Sequence, residues 1–235
     1  MAKRKSAAQL TTGELVAGTV FFVIYLLVLP FVTGPFFRWL GHALETSFSA
    51  PLKTAVCYYI LFAVTIIIFH GFLARTSRRL VENFGEAVKS LAVGMVALYG
   101  LNELIFRLSH LMMGNRTNLN DGTVTVRLDN TPHMTLLIVL LLAPFVEEVL
   151  FRGLVFGGLR HRSRLLAYTV SCILFALLHV WQFAVEHQDI TYFLLMVQYL
   201  VPGLVLAWAY DHSGTLWTSV AVHALANALS VWTML

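Results

Sequence analysis

Charge is what this chain has least of. Only 12% of its 235 residues are Asp, Glu, Lys or Arg, about half the share of roughly 25% that a soluble domain carries. So few charges exclude an ordinary water-facing globular surface. Cysteine is almost as scarce. Cys57 and Cys172 each sit inside an apolar run, which excludes a disulfide framework and a CxxC metal pair; both read as small packing residues. There is no HExxH run, the pattern that places two zinc-binding histidines on one helical face. Internal repeats, duplicated halves and low-complexity tracts are also missing. The formal net charge of +4 lies in short connections between apolar segments. That distribution suits membrane loops with a positive cytoplasmic bias and speaks against nucleic acid as a partner.

What the chain has is hydrophobic length. Apolar residues make up 58% of it, and the mean hydropathy is +0.77. Spanning segments are predicted at about 13–33, 52–73, 87–112, 134–159, 165–184, 191–210 and 215–234, each long enough at a rise of ~1.5 Å per residue to cross a hydrocarbon core. The fold class expected is all-α, a polytopic membrane bundle of about seven transmembrane helices, with residues 1–235 as one integral membrane domain. The basic start MAKRKSAAQ runs into an apolar stretch without a clear A-x-A-like exit, which predicts a retained first helix over a cleaved leader. Residues 36–50, FFRWLGHALETSFSA, read as a short interfacial helix with Trp39 at headgroup level. The third segment is the least apolar, with Lys89, Asn102, Glu103 and Arg107 inside it. The one long polar loop, 114–132, contains an NRT that fits a glycosylation sequon.

Charge also sets an expected orientation. With a cytoplasmic N-terminus carrying Lys3, Arg4 and Lys5, seven spans place Arg75, Arg78, Arg79, Arg160, Arg162 and Arg164 on the same side. Arg38, Lys53, Arg116 and Arg127 scatter over the other. That is the arrangement the positive-inside rule asks for.

Against this background EEVLFR, residues 147–152, stands out. Charges at membrane depth cost at least a few kcal/mol each and mark a functional site by default. Glu148 and Arg152 are four apart, hence neighbours on one helical face in the favourable acid-before-base order. Glu147 points about 100° away and finds no partner on its own helix. One glutamate therefore reads as structural and one as available. Further polar residues follow at similar depth: His179 in FALLHVW, and His223 with Asn227 in HALAN, on one face of the last helix. With helix ends near 160, 165 and 215, Glu147 lies about 20 Å deep, His179 about 21 Å, Asn227 about 18 Å and His223 about 12 Å. Residues packed independently on three helices need not share a level; residues of one internal site must.

These stretches carry a family resemblance. EEVLFR fits EExxxR, FALLH fits FxxxH and HALAN fits HxxxN. In this order, the chain resembles the CPBP family, the type II CAAX prenyl endopeptidases and bacteriocin-processing enzymes also called Abi. The motifs lie within residues 147–227. The resemblance implies an intramembrane endopeptidase of the glutamate type with its catalytic core at about 134–235. It implies that Glu147 and His179 activate a water, that His223 and Asn227 support the oxyanion, and that Glu148, Arg152 and Phe175 organise the site. The partners it implies are a peptide or membrane-protein substrate, taken from the bilayer or the cytoplasmic side, and the location is a bacterial plasma membrane. No cofactor is favoured. Zinc on Glu147, His179 and His223 is the alternative, since a glutamate and two histidines make a ligand set with an open position.

Two other readings compete. A membrane immunity factor or scaffold would act by binding alone, although it need not keep a full hydrolytic set. A small proton-coupled transporter would use the buried acid and histidines as a proton path, but the chain lacks the duplicated halves of such folds. The remaining histidines, 42, 70, 110, 133, 161, 187 and 212, lie near helix ends or in loops and read as interfacial. Gly153 and Gly157 form a GxxxG pair that reads as close helix packing. Pro144 and Pro202 are read as kinks that free a carbonyl and widen a cavity.

Overall fold

The first helix starts where its sequence supplies a cap. Thr11 Oγ1 accepts the Glu14 backbone N–H, and the Glu14 carboxylate accepts the Thr11 N–H, so two orphan donors are satisfied reciprocally. The same carboxylate also accepts the Phe72 N–H at 2.6 Å and pairs with Arg75, tying the helix start to the next helix. From this point the computed structural model describes residues 8–113, 124, 128 and 131–234. The sequon, the N-terminal Lys3, Arg4 and Lys5, and Arg116 and Arg127 lie outside the described residues.

Among the described residues seven long helices follow in chain order: α1 Thr12–Ala43, α2 Ala50–Glu82, α3 Phe84–Met113, α4 Pro132–Arg160, α5 Arg164–Glu186, α6 Ile190–Ser213 and α7 Leu216–Met234. Among the described residues there is no strand. Each expected segment is helical, and six of the helices are long and apolar enough to cross a membrane. The exception is α7, whose apolar face is diluted by His223 and Asn227. The protein is an integral membrane helix bundle. Its outer surface is apolar, with Ile67, Val96 and Trp232 between 71 and 79% exposed, while Thr65, Thr76, Glu148 and Arg152 are fully enclosed. This inversion is the expected consequence of a hydrocarbon solvent, where polar groups must find partners inside.

One expectation is corrected. The stretch 36–50 does not form a separate interfacial helix: α1 continues through Pro35 to Ala43, and residues 44–49 form the turn into α2. Pro35 lies inside the helix, where it has no N–H to give.

Polar contacts join the helix ends near the arginines. Asp211 near the end of α6 pairs with Arg160 at 2.8 Å and Arg164 at 2.6 Å. Gly214 takes a left-handed φ of 75° to stop α6. At the start of α7 the Leu216 N–H, an orphan of the first turn, donates to Thr76 Oγ1 at 2.8 Å, and Thr215 Oγ1 donates to the Thr76 carbonyl at 3.0 Å. Leu15 of α1 approaches Gly158 of α4 at the same end. Arg75, Arg78, Arg79, Arg160, Arg162 and Arg164 thus gather at one end of the bundle, hereafter the arginine end. In the interior, α6 packs against α3 and α5, and α7 against α3, α4 and α6. Gly153 lets α4 close on α2: a Cβ there would stand 2.9 Å from the ring of the fully buried Phe72.

Candidate active site

Helix α4 is not a uniform α-helix. It is π-helical over Ile138–Leu142 and again over Val149–Phe156, on either side of the α-helical turn that carries both glutamates. Such widened turns are frequent at functional sites. The first has a local cause. The Ala143 N–H reaches five residues back to the Ile138 carbonyl, so the next bond in that register would run from residue 144 to Val139. Residue 144 is proline and has no N–H to give. The Val139 carbonyl instead accepts from Asn227 Nδ2 of α7 at 2.9 Å. In the second π stretch, the Phe151 carbonyl accepts from Ser171 Oγ of α5 at 2.9 Å. Side chains of neighbouring helices thus occupy the backbone groups of the widened turns, as a membrane interior demands.

The two glutamates have different surroundings. Glu148 and Arg152 are both 0% exposed and pair at 3.0 Å. Arg152 Nη2 also donates to the Gly203 carbonyl at 3.1 Å, and its guanidinium lies 4.3 Å from the centre of the Phe175 ring. His223 Nδ1 meets the same Glu148 oxygen at 2.9 Å. Glu148 therefore holds Arg152 on one side and His223 on the other, and Arg152 braces α6. Phe175 packs between the Arg152 guanidinium and the rings of His179 and His223.

Glu147 faces the cavities instead. Its Oε2 is buried without a hydrogen-bond partner among the described residues and stands 4.0 Å from His179 Nε2. His179 Nδ1 lies 2.8 Å from the Phe175 carbonyl. A carbonyl only accepts, so Nδ1 carries the proton and Nε2 of the neutral ring presents a lone pair toward Glu147. The imidazole is held flat by stacking on Tyr199, 4.5 Å between centres. A separation of 4.0 Å is too long for a direct hydrogen bond and is the span that one bridging water closes.

Glu147, His179, His223 and Asn227 line one cavity of about 450 Å³, with Phe175 and Tyr199 in its wall. A second cavity of about 520 Å³, between α1, α2 and α5, also reaches Glu147 and His179. The Glu147–His179 pair thus stands where two cavities meet, with Tyr58 shared by both. Sequence spacing places Glu147, His179 and Asn227 at similar depth, with His223 on the same helical face as Asn227; it does not disclose Tyr58, Tyr199 or the Val139 carbonyl, because contacts between helices leave no period in the chain.

Among the described residues, no group of three His, Cys, Asp or Glu side chains could hold a metal ion. His223 turns Nδ1 to Glu148.

Residues 129–229 match the family model described as type II CAAX prenyl endopeptidase Rce1-like. This segment, less than half of the chain, is similar to the Rce1-like family. A stretch of 87 residues is 29% identical to the UPF0177 protein YxdF of Lactococcus lactis subsp. lactis (strain IL1403), covering 37% of this chain and 42% of that protein. The chain thus spans less than half the length of this relative. No solved structure matches it. The matched segment contains Glu147, His179, His223 and Asn227 and the Glu148–Arg152 pair.

Asn227 carries a stability prediction. Asn227→Ala leaves the Val139 carbonyl without its donor, at a cost of about 1 kcal/mol or more. Asn227→Asp is expected to cost more, since an ionised carboxylate beside a carbonyl only accepts. Thermal unfolding of the purified variants in detergent checks both.

Proposed function

We propose that the protein is an intramembrane endopeptidase that hydrolyses a peptide bond of a membrane-associated peptide or protein. The observation that carries this reading is the meeting of a partnerless buried Glu147 oxygen with the free Nε2 of His179 on the wall of a cavity that also holds His223 and Asn227. A water between Glu147 and His179 loses a proton to Glu147 and attacks the substrate carbonyl carbon. The carbonyl oxygen becomes an oxyanion. Asn227 uses one amide N–H for Val139 and keeps the second for that oxygen. His223, held at Nδ1 by Glu148, offers its other ring nitrogen, which donates when the ring is protonated. The tetrahedral intermediate then collapses: the C–N bond breaks, Glu147 returns its proton to the leaving amine, and the products are a carboxylic acid and an amine. Donors placed for the oxyanion contribute most where water is excluded, as in this bundle interior.

Water activation here rests on Glu147 and His179 without a metal. The test is incubation of the purified full chain in detergent with a peptide library, read by mass spectrometry, with a chelator in a parallel sample. Cleavage at the same rate in both samples is the expected result. Cleavage abolished by the chelator would contradict metal-free activation. Specific peptide binding without any cleavage would favour the immunity or scaffold reading.

A further inference from the structure

The residues of the proposed chemistry come from α4, α5 and α7. A further helix, α6, lines the same cavity with Gln198, Tyr199, Pro202 and Leu206. Residues 198, 202 and 206 recur every four and so share one helical face. Tyr199, beside them, stacks on His179, which sets this face next to the Glu147–His179 pair.

Gln198 is the polar member of that face. It is only 9% exposed, and its Oε1 is buried with no hydrogen-bond partner among the described residues. A buried amide oxygen without a donor costs stability, so an apolar side chain would suit this position better unless a bound molecule brings a donor. The backbone of Gln198 adds a second acceptor. In α-helical register its carbonyl would accept from residue 202, but that residue is a proline inside α6 and has no N–H. The proline on α4 is handled differently, because there the Val139 carbonyl is covered by Asn227.

The cavity therefore has complementary polar walls. On α7, Asn227 and His223 offer donors to an oxygen. On α6, Gln198 offers an acceptor to an N–H. A peptide backbone carries one group of each kind in every non-proline unit, and main-chain hydrogen bonds are a common source of affinity for extended peptides.

We infer that Gln198 binds substrate: its Oε1 accepts a backbone N–H from a peptide unit beside the scissile one, and the site thereby selects an amide backbone over an ester. Calling the bound peptide a substrate rests on the peptidase reading; the binding subsite does not need cleavage.

The test is peptide binding to the purified full chain in detergent, in a Glu147→Gln background so that a bound peptide stays whole. A mixed library of short peptides is offered and the retained members are identified by mass spectrometry. The best is then resynthesised as a series in which one backbone N–H at a time is replaced by an ester oxygen, a change that deletes a donor without adding bulk. One ester position is expected to bind about ten- to a hundredfold more weakly than the all-amide peptide. With Gln198→Met added, a side chain close to glutamine in shape, the all-amide peptide should weaken to a similar degree, and the ester at that position should bind no worse than the amide. Thermal unfolding of the Gln198→Met protein should occur at the same temperature as its background or higher, since an unpartnered polar group is removed; Gln198→Leu serves if that variant does not accumulate.

The inference is overturned if the ester series has the same profile with and without Gln198, or if binding depends on a peptide side chain and on no backbone position. It is equally overturned if the library is retained alike by both proteins or by neither. Cleavage is read separately, with the same peptide and the chain that keeps Glu147. A peptide held through Gln198 but never cleaved would sink the peptidase reading and leave the subsite standing.

Discussion

Glu147→Gln is expected to abolish detectable peptide cleavage while leaving the fold intact. In the proposed mechanism the carboxylate takes the proton from water, and an amide of the same shape has no basic oxygen for the task. Loss of a general base lowers rates by about 10²–10⁴-fold, and here the same group must also return the proton to the leaving amine. Stability should be unchanged or slightly higher. Glu147 Oε2 has no protein partner to lose among the described residues, and removing a charge from a poorly solvated site relieves a desolvation cost. Rate measurements on a cleaved peptide, paired with thermal unfolding in detergent, check both halves. A Glu147→Gln protein that cleaves at the parental rate would remove Glu147 as the base.

Arg152→Met is expected to have the largest effect on stability, a loss of about 3–5 kcal/mol. Arg152 and Glu148 are both 0% exposed, so removing the cation leaves a carboxylate enclosed with no compensating charge except His223 at 2.9 Å. The Gly203 carbonyl loses its Arg152 donor as well. Adding Glu148→Gln to Arg152→Met should recover much of the loss, because the uncompensated charge is then gone; replacing both members of a buried pair is often far milder than replacing one. Unfolding of the two single variants and the double variant closes the cycle. A single Arg152→Met variant as stable as the parent would mean that the buried pair contributes nothing to holding α4 against α6. Cleavage should fall in the double variant too, since Glu148 no longer presents a charged acceptor to His223 Nδ1.

The contrast between the two adjacent glutamates shows what a sequence of this kind discloses. That Glu148 pairs with Arg152 follows from a spacing of four on a helix, and the two stand 3.0 Å apart. That Glu147, His179 and Asn227 lie at a similar level, with His223 nearer the arginine end, follows from helix ends and rise per residue, and all four line one cavity. Apolar length alone located all seven helices. The contacts that refine the site were not legible for a common reason: each crosses between helices, and the rotation of one helix against another is set by packing. His223 reaching Glu148 is one example. Asn227 reaching the Val139 carbonyl is another, and it follows only once α4 is seen to widen before Pro144. A proline in an apolar run announces a missing N–H; whether the orphaned carbonyl belongs to the residue four or five back depends on the local register.

The site joins a rigid half to an open one. On the arginine side, enclosed aromatic rings and the Glu148–Arg152 pair fix α4 in place. On the other, the cavities leave room around Glu147 for a peptide chain and a water. In the proposed mechanism, precise placement of the base and its water would supply much of the rate, and a carboxylate backed by a fully packed layer has little freedom to move away.

The central claim is that Glu147 activates a water and does not itself attack the substrate. The most direct test is a single-turnover cleavage in ¹⁸O-water with protein in excess over peptide, followed by mass spectrometry of both the product and the protein. Direct water attack predicts one ¹⁸O in the new carboxylate of the product and none in the protein. Appearance of ¹⁸O in the Glu147 side chain, with the product carboxylate unlabelled, would show that Glu147 had formed a covalent intermediate and would contradict the account.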